Sequence, residues 1–222
     1  MNIRHHLDDA TLMGHAAGTL VPGMSLLVGC HLERCADCRE RLAQAESVGG
    51  ALLEEVPPVA MDSSNALAEL FARIEAEPFE ESRPTQPRMP GTPPEAAMPM
   101  LLAGQLDGRR FDELDWRTLA PGVRQVDLHL GGPGATRLLR FAPGVSVPHH
   151  SHRGNELTLV LRGSYNDEVG RFRAGDVADL DDQVAHQPLN DTDEDCICLI
   201  ATDAPLRFSG LMGRLVQPFI GM

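Results

Sequence analysis

A chain of 222 residues, 42% apolar and 23% charged, has the composition of a globular protein and room for one large domain or two small ones. Its formal charge of −13 argues against nucleic acid as a direct partner, and no apolar run approaches a membrane span. The first ten residues are polar and charged, unlike an export signal, so the expected location is the cytoplasm, where five cysteines read as metal ligands or buried thiols.

In chain order, Leu7, Ala10, Thr11 and Gly14 mark one face of a first helix. A longer helix is predicted from about Met24 into the region of Arg39 to Ala45, followed by apolar Val48, Leu52, Leu53 and Val56. Leu67, Leu70, Phe71 and Ile74 then fall at i, i+3, i+4 and i+7, behind the capping candidates Asp62, Ser63 and Ser64. Seven prolines between Pro78 and Pro99 mark a linker. Beyond it the period changes to two. Val123–Leu130, Thr136–Phe141, Glu156–Leu161, Val177–Leu180 and Cys196–Ala201 read as short strands of an antiparallel sandwich or barrel. The expected organisation is an all-α domain over 1–80, a linker over 81–104 and an all-β domain over 105–222. The first 80 residues carry five Arg against thirteen Asp and Glu, a net of −8, which suits a basic partner.

His31, Cys35 and Cys38 stand at i, i+4 and i+7, an offset that on one helix would converge three ligands on one ion. Zinc closes a structural site with four N or S ligands, and His5, His6 and His15 are the candidates for the fourth, with the His5–His6 pair better placed. Such an ion would also compensate for a thin helical core with few aromatic residues. Cys30 reads as a small packing residue.

The His31-x3-Cys35-x2-Cys38 pattern with the upstream histidine pair resembles the zinc-binding anti-sigma domain of bacteria. The opening Asn2-Ile-Arg-His-His-Leu7 and the Ala16-Ala-Gly-Thr-Leu20 stretch are similar to the ChrR group in particular. That resemblance selects His6 as the fourth ligand. It implies a helical domain that holds an extracytoplasmic-function sigma factor in a 1:1 complex, released under oxidative stress linked to singlet oxygen and organic peroxides.

A second constellation follows the linker. His150 and His152 are two apart on a strand and point to one side, Glu156 begins the next strand, and His186 arrives about thirty residues later. Three imidazoles and a carboxylate suit a divalent metal, zinc foremost, with Mn, Fe, Ni or Cu also compatible. The spacing from Gly144 to Gly163 and from Gly175 to Asn190 resembles the two cupin motifs, with Asp181 and Gln183 at positions usually held by Pro and Gly. The stretch from Asp195 to Phe208 is similar to the same ChrR group, and Cys196 and Cys198 within it read as core thiols. The expected function is therefore regulatory and not enzymatic. The alternative is a cupin metalloenzyme such as a dioxygenase with a fused zinc module.

Overall fold

The computed structural model describes residues 3–59, 65–76, 98–204 and 206–208. Five helices are seen: α1 (Asp9–Ala16), α2 (Pro22–Leu32), α3 (Ala36–Glu55), α4 (Ala66–Ala76) and α5 (Met100–Gln105). The strands are β1 (Arg117–Ala120), β2 (Val123–Asp127), β3 (Ala135–Phe141), β4 (His150–His152), β5 (Glu156–Arg162) and β6 (Ser164–Asn166). β7 (Arg171–Arg173), β8 (Val177–Leu180), β9 (Ala185–His186), β10 (Cys196–Thr202) and β11 (Leu206–Phe208) complete them. Helices precede strands, as the two periodicities predict. No helix among the described residues is long and apolar enough to cross a membrane.

Local chemistry sets the helix ends. Asp8 caps α1 by accepting the Thr11 amide at 2.6 Å, with Asp9 in the first turn, and Pro22 opens α2. The long helix predicted from Met24 is two helices. α2 stops at Leu32, Cys35 adopts extended backbone (φ −99°, ψ 107°), and its sulfur accepts the Cys38 amide at 3.4 Å as the cap of α3. A residue with the extended backbone of an N-cap cannot also continue the preceding helix, so the ligand-bearing segment bends here. His6 likewise precedes α1 instead of lying within it.

All strand pairs are antiparallel. One sheet runs β1-β2-β3-β10-β5-β8, a second β11-β4-β9, and β6 pairs with β7. The alternation of side chains divides the six-stranded sheet between two cores. Leu139, Phe141, Val160, Cys196 and Cys198 face the interior of the sandwich with Tyr165 and Phe172. Leu138, Leu157, Leu159, Ile197, Leu199 and Ala201 face the helices. With both faces covered, β5 is buried along almost its whole length.

The second core is common to the helices and the sheet: Leu7, Leu12, Met24, Leu27 and Val28 pack into the same cluster as the β3, β5 and β10 side chains. α2 therefore lies directly on the sheet, packed against β3, β5 and β10. At Gly23 the two approach so closely that a Cβ would meet Thr136 Oγ1 at 1.8 Å. The end of the segment read as linker joins this core. Met98 and Leu102 are buried, and the Glu33 carboxylate accepts the Met100 and Leu101 amides at 2.7 and 2.8 Å, fixing α5 to the end of α2. The prolines from Pro78 to Pro94 lie outside the described residues, as do Asp62, Ser63 and Ser64.

A shared core has a direct consequence for stability. Leu27 is fully buried between α2 and the sheet. Leu27→Ala is expected to cost about 2–5 kcal/mol. It should lower the urea midpoint reported by helical circular dichroism and by Trp116 fluorescence together, since Trp116 packs on the same cluster.

Candidate functional site

Two clusters of metal-competent side chains are present among the described residues, one built on each class of element. The first joins His6, His31, Cys35 and Cys38, whose donor atoms all lie within 4.8 Å of one another. Cys35 caps α3, Cys38 sits in its first turn, His31 lies in the last turn of α2, and His6 reaches in from the N-terminal segment before α1. His6 Nδ1 lies 3.2 Å from Cys35 Sγ and 3.6 Å from Cys38 Sγ, and His31 Nε2 lies 3.3 Å from Cys38 Sγ. Bonds of about 2.0–2.3 Å in a zinc tetrahedron imply donor separations of roughly 3.3–3.8 Å, so the donor set and its spacing fit that ion.

Each histidine also has an acceptor on its outer side. His31 Nδ1 donates to the Gly175 carbonyl at 3.1 Å, which leaves Nε2 as a lone pair facing the sulfurs, and His6 Nε2 lies 3.8 Å from Asp37. Burial drives the His31 pKa down to about 4, so the imidazole is neutral near pH 7 and ready to ligate. Burial also pushes the Cys38 thiol up to about 11 in the metal-free protein, and binding a cation would release that proton. Of the three sequence candidates for the fourth ligand, His6 alone joins the cluster. His5 instead packs its ring on Phe172 at 4.2 Å between centroids, and His15 remains in α1.

The second cluster lies between the two larger sheets and joins His150 of β4, Glu156 of β5 and His186 of β9, all buried. His150 Nε2 and His186 Nε2 face each other at 3.2 Å, with Glu156 oxygens 4.0 and 3.6 Å from them. His152 is placed in β4 by its backbone, and its side chain lies outside the described part. The outer nitrogens are again committed: His150 Nδ1 donates to the Pro148 carbonyl at 2.8 Å and His186 Nδ1 to Asp167 at 2.9 Å. Burial opposes charge on His186, but hydrogen bonds and charge from Asp167 and Glu156 outweigh it and raise the pKa to about 9. A divalent cation held here would compete with the proton that this environment favours on His186. Two imidazoles and a carboxylate converging inside a sandwich suit such an ion.

Asp167, with a fully buried side chain, is a member of this site that sequence spacing did not reveal. It stands 19 residues before His186, and the antiparallel bridge between Asn166 and Leu189 brings it there. Beside the cluster is a small cavity of about 40 Å³ lined by Phe141, Val147, Thr158, Tyr165 and Cys198 among others. Cys196 and Cys198 lie 3.7 Å apart with both sulfurs buried, and burial raises the Cys198 thiol well above its ordinary range. Burial likewise pushes Cys30 up to about 12, so it is a packing thiol and not a reactive one.

Comparison with known proteins follows the same two-part layout. A family model described as the ChrR cupin-like domain matches residues 106–205. The anti-sigma-E factor ChrR of Cereibacter sphaeroides is 46% identical over 219 residues, which covers 99% of this chain and 99% of that protein. The crystal structure of Rhodobacter sphaeroides SigE in complex with the anti-sigma ChrR superposes with a TM-score of 0.75 at 42% identity, covering 91% of this chain and all of that one.

Two expectations come from this chemistry. Asp167→Asn removes the charged partner of His186 and should weaken metal binding at the second cluster about 10–100-fold, read by competition against a chromophoric chelator. In the metal-free protein, an unfolded His31 takes up a proton near pH 6.5, whereas the folded one waits until about pH 4. Stability should therefore fall by on the order of 3 kcal/mol as pH drops from 6.5 towards 4. Urea titrations of wild type against His31→Gln check the sign, since the variant should lack this component between pH 6.5 and 4.5.

Proposed function

The chain belongs to the ChrR family of anti-sigma factors, and from that premise we propose that it holds one extracytoplasmic-function sigma factor inactive in a 1:1 cytoplasmic complex. His6, His31, Cys35 and Cys38 would hold zinc as a structural ion that sets the geometry of α2 and α3. His150, His152, Glu156 and His186 would hold a second divalent metal, zinc foremost. That second ion serves the release of the sigma factor under oxidative stress, of the kind produced by singlet oxygen, and not catalytic turnover.

The observation that carries this reading is a pair of apolar faces left uncovered among the described residues. On α4, Leu67, Leu70, Phe71 and Ile74 are each 50–60% exposed, although they occupy the i, i+3, i+4 and i+7 positions of an amphipathic face. Val48, Leu52, Leu53 and Val56 at the end of α3 are exposed as well. Exposed apolar side chains repeated along each of these helices are of the kind that a partner covers. The similar ChrR was solved with SigE bound. The acidic excess of residues 1–80 adds attraction for a DNA-binding protein.

Because these side chains are exposed in the free protein, they can be changed without touching either metal cluster. Phe71→Asp should weaken sigma binding at least about 30-fold, as expected of an aromatic anchor. The measurement is calorimetric titration with the sigma factor of the same genome that the wild-type chain retains on a column. Metal content and helicity should stay as in wild type. An unchanged affinity would show that α4 is not part of the contact.

A further inference from the structure

The two histidines of the helical cluster are held in place by the β-domain. Asp176 closes the turn into β8 and is 2% exposed. Its Oδ1 accepts the Arg4 amide at 2.7 Å and the His5 amide at 3.2 Å, and its Oδ2 accepts the Arg173 amide at 2.9 Å. The next residue, Val177, donates its amide to the His5 carbonyl at 3.3 Å. Three backbone groups of the two residues before His6 are thus fixed by two residues of the sheet edge. The residue before Asp176 is Gly175, whose positive φ of 96° turns its carbonyl onto His31 Nδ1. Residues 175–177 therefore orient both nitrogen donors, while α3 alone orients both sulfurs.

We propose that Asp176, together with the Gly175 carbonyl, is a positioning element of the helical metal centre, so that the β-domain completes the zinc site of the anti-sigma domain. The inference rests on the reading that His6, His31, Cys35 and Cys38 hold a metal. Partners on the outer side of a ligating histidine fix its tautomer and direction, and removing them commonly costs 10–100-fold in affinity. Asp176 acts twice, through the chain leading to His6 and through the turn that presents Gly175. The helical site should then be tighter in the docked chain than when the contact between α2 and the sheet is disturbed. The geometry gives a second, independent handle on that contact. A Cβ at Gly23, near the start of the helix that carries His31 in its last turn, would collide with Thr136 on β3. Alanine is the better helix former, so Gly23→Ala acts by wedging the interface and not by weakening α2.

The test uses the full-length chain loaded with cobalt(II). Thiolate-to-cobalt charge-transfer absorption reports the helical site alone, because the second cluster has no sulfur ligand. Loss of that band to a competing chelator gives the affinity, and total cobalt gives retention at the second site. Asp176→Ala is expected to weaken the helical site about tenfold or more while the second site keeps its metal. Asp176→Asn, which keeps an oxygen for the Arg4 and His5 amides, should restore most of the affinity. Gly23→Ala should weaken the same site, and adding Thr136→Ala should recover it. Unchanged affinity in both Asp176→Ala and Gly23→Ala, with a normal band in the wild type, would overturn the positioning role and leave the metal reading intact. Absence of the band in the wild type would overturn the metal reading and this inference with it. If Asp176→Ala fails to fold, the Gly23→Ala pair and its rescue decide the question.

Discussion

The hydrogen bond from His31 Nδ1 to the Gly175 carbonyl ties the helical half of the chain to the sheet, and much else is arranged so that it can form. It is buried, so leaving either group unpaired would cost desolvation without compensation. It needs α2 laid flat on the six-stranded sheet, which needs a glycine at position 23 and the apolar faces of β3, β5 and β10 turned outward. It needs the chain to bend after Leu32 so that Cys35 and Cys38 come round to the other ring nitrogen. The cap by Cys35 and the carboxylate of Glu33 against α5 hold that bend.

One rule governs three of the four described histidines of the two clusters: one nitrogen faces inward and the other is hydrogen-bonded to an oxygen outside. Gly175 and Pro148 supply carbonyls and Asp167 a carboxylate, while Asp37 stands 3.8 Å from the outer nitrogen of His6. The clusters are also linked by the ladder between β5 and β8. Glu156 lies opposite Leu180 at one end, and Leu159 opposite Val177 at the other, one residue from Asp176. That is a span of roughly 13 Å along a single strand. A change in how Glu156 is held therefore acts on the same two strands that carry the anchor of the N-terminal segment.

Much of this was legible in the sequence because it obeys simple periods. Alternation located the strands, and the His150–Glu156 spacing placed a histidine and a carboxylate on neighbouring strands that meet inside the sandwich. The His31–Cys38 offsets were read as one helix because i, i+4, i+7 is the repeat of an unbroken helix, whereas a cysteine acting as a cap satisfies the same spacing with a bend. Asp167 was hidden because its partner is brought to it by sheet pairing and not by proximity in sequence. The docking of α2 was hidden for another reason. Its residues are apolar on nearly every side, so no face stood out as the one turned to the sheet. Gly23 was the available clue, a small residue in a helix where a backbone must come close to something else.

β8 ends its sheet, and a terminal strand exposes backbone amides and carbonyls that can recruit a strand from another molecule. In this fold the N-terminal segment occupies that margin: His5 accepts from Val177, and the Asp8 amide donates to Asp179 at 3.0 Å. The segment that carries His6 is thus also the guard of the sheet's open margin. Its departure would uncover buried Val177 beside unsatisfied backbone, a template for intermolecular β-pairing. The same few residues therefore serve both the helical cluster and the protection of the sheet edge.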